Sequence, residues 1–309
     1  VQPVNSTHLA YSPMPSKCRI ADTRLSSPVS QQSMRTFSVA GAACKDANMT
    51  TTIATLPASG IGAVDLNMTV IGGSDTTLLT AGSVALYSSD FNPASGTLGT
   101  TNINFSNYHM TLNGLANGAK TGVGADGKIK LYMDSANSMT ITRNIILDVS
   151  GYFSATDPNG LVYVPMPPCR ILDTRGPPLT AALYAPTTVQ GAVSLVSVGG
   201  QCGLPTQGIK ALAVNGTIMS KPNTDTTPLG PGFFDIFQSG GAALSLINWS
   251  ILMVPPPGPN ITYGTIVPNG TTVKVDPTQE SISLFQTIAA GSLYYVIDLM
   301  GYYTSPTAQ

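Results

Sequence analysis

The phrase "PMPSKCRIADTR", residues 13–24, returns as "PMPPCRILDTR", residues 165–175. Other fixed points recur at nearly the same distance: Cys18 and Cys169 are 151 residues apart, Asn67 and Asn215 are 148, and Gly151 and Gly301 are 150. A spacing held this closely along the whole chain marks a duplicated domain. Its period far exceeds the roughly 20 to 50 residues of a stacked repeat, so each copy must close a core of its own. Copy one ends in "IILDVSGYF" at Phe153 and copy two in "YVIDLMGYY" at Tyr303, with "SATDPNG", residues 154–160, between them. Asp-Pro-Asn-Gly is turn chemistry. The sequence therefore divides into an N-terminal arm (residues 1–8), a first domain (9–155) and a second (156–309).

Each copy is written in strand vocabulary. Ser and Thr supply 65 of the 309 residues, Gly 31 and Pro 24, whereas Glu280 is the only glutamate. Helix surfaces favour Glu, Lys, Arg and Gln, so this balance argues against helix. Short apolar or alternating runs such as "GAVDLNMTVI", "KIKLYMD", "GFFDIFQ" and "SLYYVIDLMGYY" stand between Gly, Pro, Asn and Asp, with almost no 3.6-residue period. The expected fold is all-β: two tandem β-sandwiches, immunoglobulin-like or jelly-roll-like.

The four cysteines fall two to a copy at corresponding places, Cys18 with Cys44 and Cys169 with Cys202. One intradomain disulfide per copy is expected, and with it an oxidising compartment. A four-cysteine zinc site is the competing reading, but there is no Cys-x-x-Cys and the pairs sit in separate domains.

The Cys-Arg-x-x-Asp-Thr-Arg opening, a second Cys near a Gly, the central Asn-x-Thr strand and the closing Asp-x-x-Gly-Tyr-Phe together resemble a family of secreted bacterial β-sandwich repeats, present here twice. The resemblance covers essentially the whole chain. Copy one departs from the pattern in the insertion of Lys17 before its Cys and in lacking a Gly directly after Cys44, and copy two ends in Tyr303 where Phe is usual. These departures warn that the loops near Cys18 differ between the copies. The resemblance implies an extracellular appendage or surface-protein module rather than a catalyst.

Charge is scarce, at 9% of residues against about 25% in an average globular protein. Four of the six arginines, Arg19, Arg24, Arg170 and Arg175, nevertheless lie in the repeated phrase beside Asp22 and Asp173. One reading is a binding site or a catalytic carboxylate braced by arginine. The other is a structural ion network that pins the entering strand, joined by Asp148 and Asp298 of the closing strands. The second is favoured, because a site draws on several loops and these residues are consecutive on one segment.

No enzyme is expected. The histidines, His8 and His109, are not repeated between copies, and neither a Gly-x-Ser-x-Gly elbow nor a His-Glu-x-x-His occurs. One glutamate makes a glycosidase carboxylate pair improbable. The nearest calcium-like runs, "GADGK" at Asp126 and "TDPNG" at Asp157, supply too few carboxylates and read as turns. No metal or cofactor is therefore assigned. The net charge of -1 contains no basic block for nucleic acid, and no apolar run reaches the roughly 18 residues of a membrane span. The chain opens at Val1 without a charged-then-apolar leader, and the expectation is an extracellular or cell-surface protein after removal of a signal peptide.

The aromatics Tyr152, Phe153, Tyr302 and Tyr303 end corresponding strands, which favours packing over a sugar platform; Trp249 stands alone. Asn-x-Ser/Thr sequons occur at Asn5, Asn48, Asn67, Asn104, Asn215, Asn248, Asn260 and Asn269. These eight are twice the roughly 3.6 that composition predicts, and a glycan coat would hydrate so uncharged a surface.

Duplication carries the functional expectation. If two like domains pack end to end in one chain, similar surfaces are available between domain 2 of one copy and domain 1 of the next, and such a heterologous contact propagates unless it closes. The expected function is a secreted structural protein that self-assembles head to tail into a filament or surface layer. Its chain ends are expected to be docked, and "VQPVNST" to add as a strand to a neighbour. The alternative is a monomeric adhesin or carbohydrate-binding module, with surface glycans as partners.

Overall fold

The computed structural model describes residues 9–72, 82–91, 103–105, 114–135, 142–175, 193–220, 232–241, 243–249, 266–287 and 293–306. The N-terminal arm, the last three residues, His8 and His109 lie outside them. Among the described residues there is no α-helix, and every strand pairing is antiparallel.

Copy one contributes β1 (Ala10–Asp22), β2 (Val29–Ser30), β3 (Ser33–Ser38), β4 (Ala43–Lys45), β5 (Thr52–Thr55), β6 (Ile61–Gly72), β7 (Gly82–Ser88), β8 (Ile103–Phe105), β9 (Leu115–Gly122), β10 (Lys128–Ser135) and β11 (Thr142–Ser154). Copy two contributes β12 (Val162–Asp173), β13 (Val193–Ser197), β14 (Ala211–Ser220), β15 (Gly232–Gln238), β16 (Ile247–Trp249), β17 (Ile266–Lys274), β18 (Ser281–Thr287) and β19 (Leu293–Thr304). In domain 1 the sheets run β5-β4-β1-β11-β6-β9, with β2 also on β11, and β3-β10-β7-β8; in domain 2 they run β12-β19-β14-β17 and β13-β18-β15-β16. Leaving aside β2, β4 and β5, the described residues of each domain hold eight strands that share one order. The first, last, third and sixth form one sheet, and the second, seventh, fourth and fifth form the other. That is a jelly roll, which resolves the two sandwich topologies the sequence left open.

Strand alternation builds the cores. Val64, Leu66, Met68 and Val70 of β6 point inward against Val84 and Leu86 of β7 and Ile129 and Leu131 of β10. Domain 2 repeats this with Leu212, Val214 and Ile218 against Phe234, Ile236, Ile282 and Leu284. The opposite residues of β6, Asp65, Asn67 and Thr69, face outward, yet they are as buried as the core. Polar side chains on an outer sheet face are buried only if another layer covers them, and that layer is domain 2.

Both disulfides are present, Cys18–Cys44 and Cys169–Cys202. The copies differ around them. Cys44 lies on β4, which with β5 extends the sheet beyond β1, whereas Cys202 sits in a 3-10 turn, Gln201–Gly203. With 26 and 33 residues between partners, loop entropy assigns each bond about 3 to 4 kcal/mol. The Cys18→Ala/Cys44→Ala variant should lose about that amount in urea unfolding; a loss under about 1 kcal/mol would contradict the loop-entropy account.

Candidate functional site

The arginines, aspartates and threonine of the repeated phrase make corresponding contacts in both domains. Arg19 stands opposite Asp148 across the β1 and β11 ladder, and its Nε and Nη2 donate to the two carboxylate oxygens at 2.7 and 3.1 Å. Its Nη1 donates to Asp22 at 3.1 Å and to Ala47 O at 2.7 Å. Asp22 accepts from Arg24 N at 3.1 Å and Arg24 Nε at 2.9 Å, so it caps the 3-10 turn Thr23–Leu25 while it bridges the two arginines. Thr23 Oγ1 accepts from Ile145 N at 2.8 Å. In domain 2, Arg170 donates to Asp298 at 2.8 and 3.2 Å and to Asp173 at 3.0 Å, Arg175 Nε donates to Asp173 at 2.8 Å, and Thr174 Oγ1 accepts from Tyr295 N at 2.9 Å. Arg19 and Thr23, like Arg170 and Thr174, thus tie the first strand to the last.

Burial separates the two networks. The Arg19 and Asp148 side chains are 7% and 1% exposed, against 37% and 27% for Arg170 and Asp298. Burial pushes the Asp148 carboxyl above its ordinary range despite its contacts with Arg19. Burial also acts to raise Asp22 and Asp173, but hydrogen bonds from Arg24 and Arg175 outweigh it and hold both low. Burial opposes the Arg19 charge, and the Asp148 hydrogen bond and charge overcome it, so the guanidinium is raised; for Arg170 the Asp298 hydrogen bond leads.

Register extends each ion pair into a row across its sheet. Arg19, Asp148, Asn67 and Gly118 lie side by side on β1, β11, β6 and β9. Arg170, Asp298, Asn215 and Gly270 lie side by side on β12, β19, β14 and β17. The first row is the floor of the seam between the domains. Asn269 Nδ2 donates to Asn67 Oδ1 at 3.0 Å and Asn269 Oδ1 accepts from Gly118 N at 2.6 Å. Asn67 Nδ2 donates to Ser245 O at 2.8 Å, and Asn248 Nδ2 to Thr69 Oγ1 at 3.3 Å. The inserted Lys17 is consumed here as well: its Nζ, buried, reaches Asp235 Oδ1 at 2.5 Å and Ile236 O at 2.7 Å. A Cβ at Gly118 would overlap the Gly270 carbonyl oxygen, so glycine is what lets the two backbones approach.

An aromatic cluster closes the same seam near the linker. Tyr11 packs in tilted contact with Phe153 and Tyr303, ring centroids 5.0 and 4.5 Å apart, and Leu161 and Ala211 complete the cluster. Burial first, then the Asp65 charge, raises the Tyr11 hydroxyl well above its usual value and pushes Tyr303 up to about 12. In the linker, Asp157 accepts from Ser12 Oγ and from Asn159 N, which fixes the turn against domain 1.

The second row is open. Pro168, Arg170, Asn215, Gly270, Asp298 and Met300 line a cleft of about 740 Å³ on its surface. Tyr163 and Met300 beside it are 41% and 43% exposed, while their domain 1 counterparts Tyr11 and Ser150 are buried.

The sequons divide accordingly. Asn67, Asn248 and Asn269 are buried in or beside the seam, where their side chains are hydrogen-bonded and a glycan has no room, which corrects their assignment as glycosylation sites. Asn48 is exposed in a turn and Asn215 is partly exposed on the open row. Asn5, Asn260 and the Asn104 side chain lie outside the described residues, as does that of Trp249. Among the described residues no cluster of metal-ligating side chains occurs. Gly118, Gly270 and Asp235 had no motif to announce them; only the paired register of the two sheets reveals them.

No family model and no curated protein matches this chain. Among solved structures it is similar to a tandem CBM22 domain pair of Paenibacillus barcinonensis Xyn10C, at 8% identity over 96% of this chain and 98% of that one, with a TM-score of 0.24. It is similar also to a structure of infectious bursal disease virus Gx strain, at 9% identity over 98% and 76% with a TM-score of 0.20, and to cowpea mosaic virus empty particles, at 8% over 100% and 96% with a TM-score of 0.20. At these scores the fold assignment stands on the strand order alone.

Proposed function

We propose that this chain is a secreted structural protein that assembles head to tail with copies of itself. The observation that carries the reading is the unequal cover of two equal rows. Domain 1's row is roofed by domain 2, while the same row on domain 2 is roofed by nothing in the described chain, and apolar Tyr163 and Met300 are left at its side. A contact between unlike faces of identical chains adds units indefinitely unless the rotation closes a ring. Low charge, 9% of residues, removes the repulsion that would oppose such packing. The two disulfides are compatible with an extracellular site, and among the described residues no helix is long and apolar enough to cross a membrane.

A second reading draws on the cleft itself, since Arg170, Asn215 and Asp298 beside exposed Tyr163 are groups that also suit a sugar. Light scattering across concentrations, with negative-stain imaging, separates the two. Assembly predicts mass rising in multiples of the 31.9 kDa chain. A constant 31.9 kDa particle that binds a glycan array would establish the alternative.

A further inference from the structure

The polar seam between the domains is written twice in the sequence, although one chain uses it once. Its receiving residues on domain 1 are Asn67, Thr69 and Gly118, and register places Asn215, Thr217 and Gly270 at the same positions of domain 2's open sheet. Its presenting residues on domain 2 are Asn269 and Asn248. Asn117 precedes Gly118 as Asn269 precedes Gly270, and Asn104 lies opposite Ser83 on the β7 and β8 ladder as Asn248 lies opposite Phe233 on β15 and β16. Both halves of these contacts therefore exist a second time. On the open sheet Asn215 Nδ2 donates to Thr217 Oγ1 at 3.3 Å, joining the two side chains whose counterparts in domain 1 take Asn269 and Asn248.

The charged contact of the seam behaves differently, and both of its halves change together. Lys17, inserted before Cys18, has no counterpart in domain 2, where Pro168 stands directly before Cys169. Asp235, opposite Phe285, corresponds to Ala85, opposite Tyr132. A lysine or an aspartate alone in a second seam would be a buried, unpaired charge, and the chain places neither there.

We propose that the sheet β12-β19-β14-β17 is the docking face for a second copy of this chain, whose domain 1 edge, β7 to β9, sets Asn117 against Asn215. This deepens the head-to-tail reading and rests on it. The Lys17–Asp235 pair distinguishes the two seams. A foreign domain 1 edge carries Ala85 and would strand Lys17, so domain 1's face accepts its own domain 2 and rejects other copies.

Gly270 provides the test. A Cβ there would meet only Val214 O at 3.9 Å, so a substitution at Gly270 starts into open space; its counterpart Gly118 has no such room because the opposing backbone lies against it. Gly270→Val should melt like wild type yet need a protein concentration more than about tenfold higher to polymerise. Asn117→Arg should block the opposite surface. Mixing the two variants, each with one good surface, should then give a 1:1 dimer and nothing longer. If Gly270→Val polymerises like wild type, this docking face is wrong while head-to-tail assembly survives. If wild-type protein stays monomeric at every concentration, both fall.

Discussion

Replacing Lys17 by methionine is expected to cost about 3 to 5 kcal/mol, the usual penalty for removing one partner of a buried ion pair. The Lys17 and Asp235 side chains are 5% and 0% exposed, so water cannot replace the ammonium when it is lost. Asp235 would keep the Leu244 N–H at 2.9 Å, one hydrogen bond for a desolvated carboxylate. Neutralising both ends should behave differently. The Lys17→Met/Asp235→Ala variant should recover most of the loss, because domain 2 has no residue equivalent to Lys17 and domain 1 already carries Ala85 at the position of Asp235. Urea unfolding of the two single variants and the double closes the cycle. A Lys17→Met loss below about 1 kcal/mol would mean that the pair is solvated and the seam loose.

Asp148→Ala and Asp298→Ala form the second large contrast. Both aspartates take the same two guanidinium bonds, at 2.7 and 3.1 Å in domain 1 and at 2.8 and 3.2 Å in domain 2. The cover differs, and Arg19 also donates to the Ala47 carbonyl beside β4. Truncating Asp148 leaves the Arg19 side chain, 7% exposed, with only Asp22 and the Ala47 carbonyl as partners, its Nε and Nη2 unpaired, and is expected to cost about 3 to 5 kcal/mol. Truncating Asp298 leaves Arg170, 37% exposed, to be hydrated, and in dilute protein is expected to cost about 1 kcal/mol or less. The gap should narrow under polymerising conditions, where docking covers Arg170. Equal losses in dilute protein would mean that domain 2 does not shield the first row.

Much of this architecture was legible because strand alternation and duplication are local signals. The opening and closing phrases located both ends of each jelly roll, and their Arg and Asp residues are the ones that meet across the first and last strands. The turn "DPNG" likewise sits where β11 gives way to β12. Topology was not legible, since nothing in "GFFDIFQ" or "KIKLYMD" says which strand lies beside which. The seam was hidden for the same reason. Lys17 reads in the sequence as a bare insertion because its partner Asp235 is 218 residues away, and Asn67, Asn248 and Asn269 read as glycosylation candidates because Asn-x-Ser/Thr also suits a strand whose polar face is covered. The closing Gly151 and Gly301 acquire a reason only in three dimensions: Tyr11 and Tyr163 lie across them, where any side chain would collide.

The central claim is that one seam serves both within and between chains. A helical reconstruction of the assembled protein tests it most directly. Domains are expected in single file, with the step from domain 2 to the next domain 1 matching the step inside the chain and Asn215 and Gly270 covered by the neighbour's Asn117 edge. A polymer in which the sheet β12-β19-β14-β17 faces solvent would contradict it.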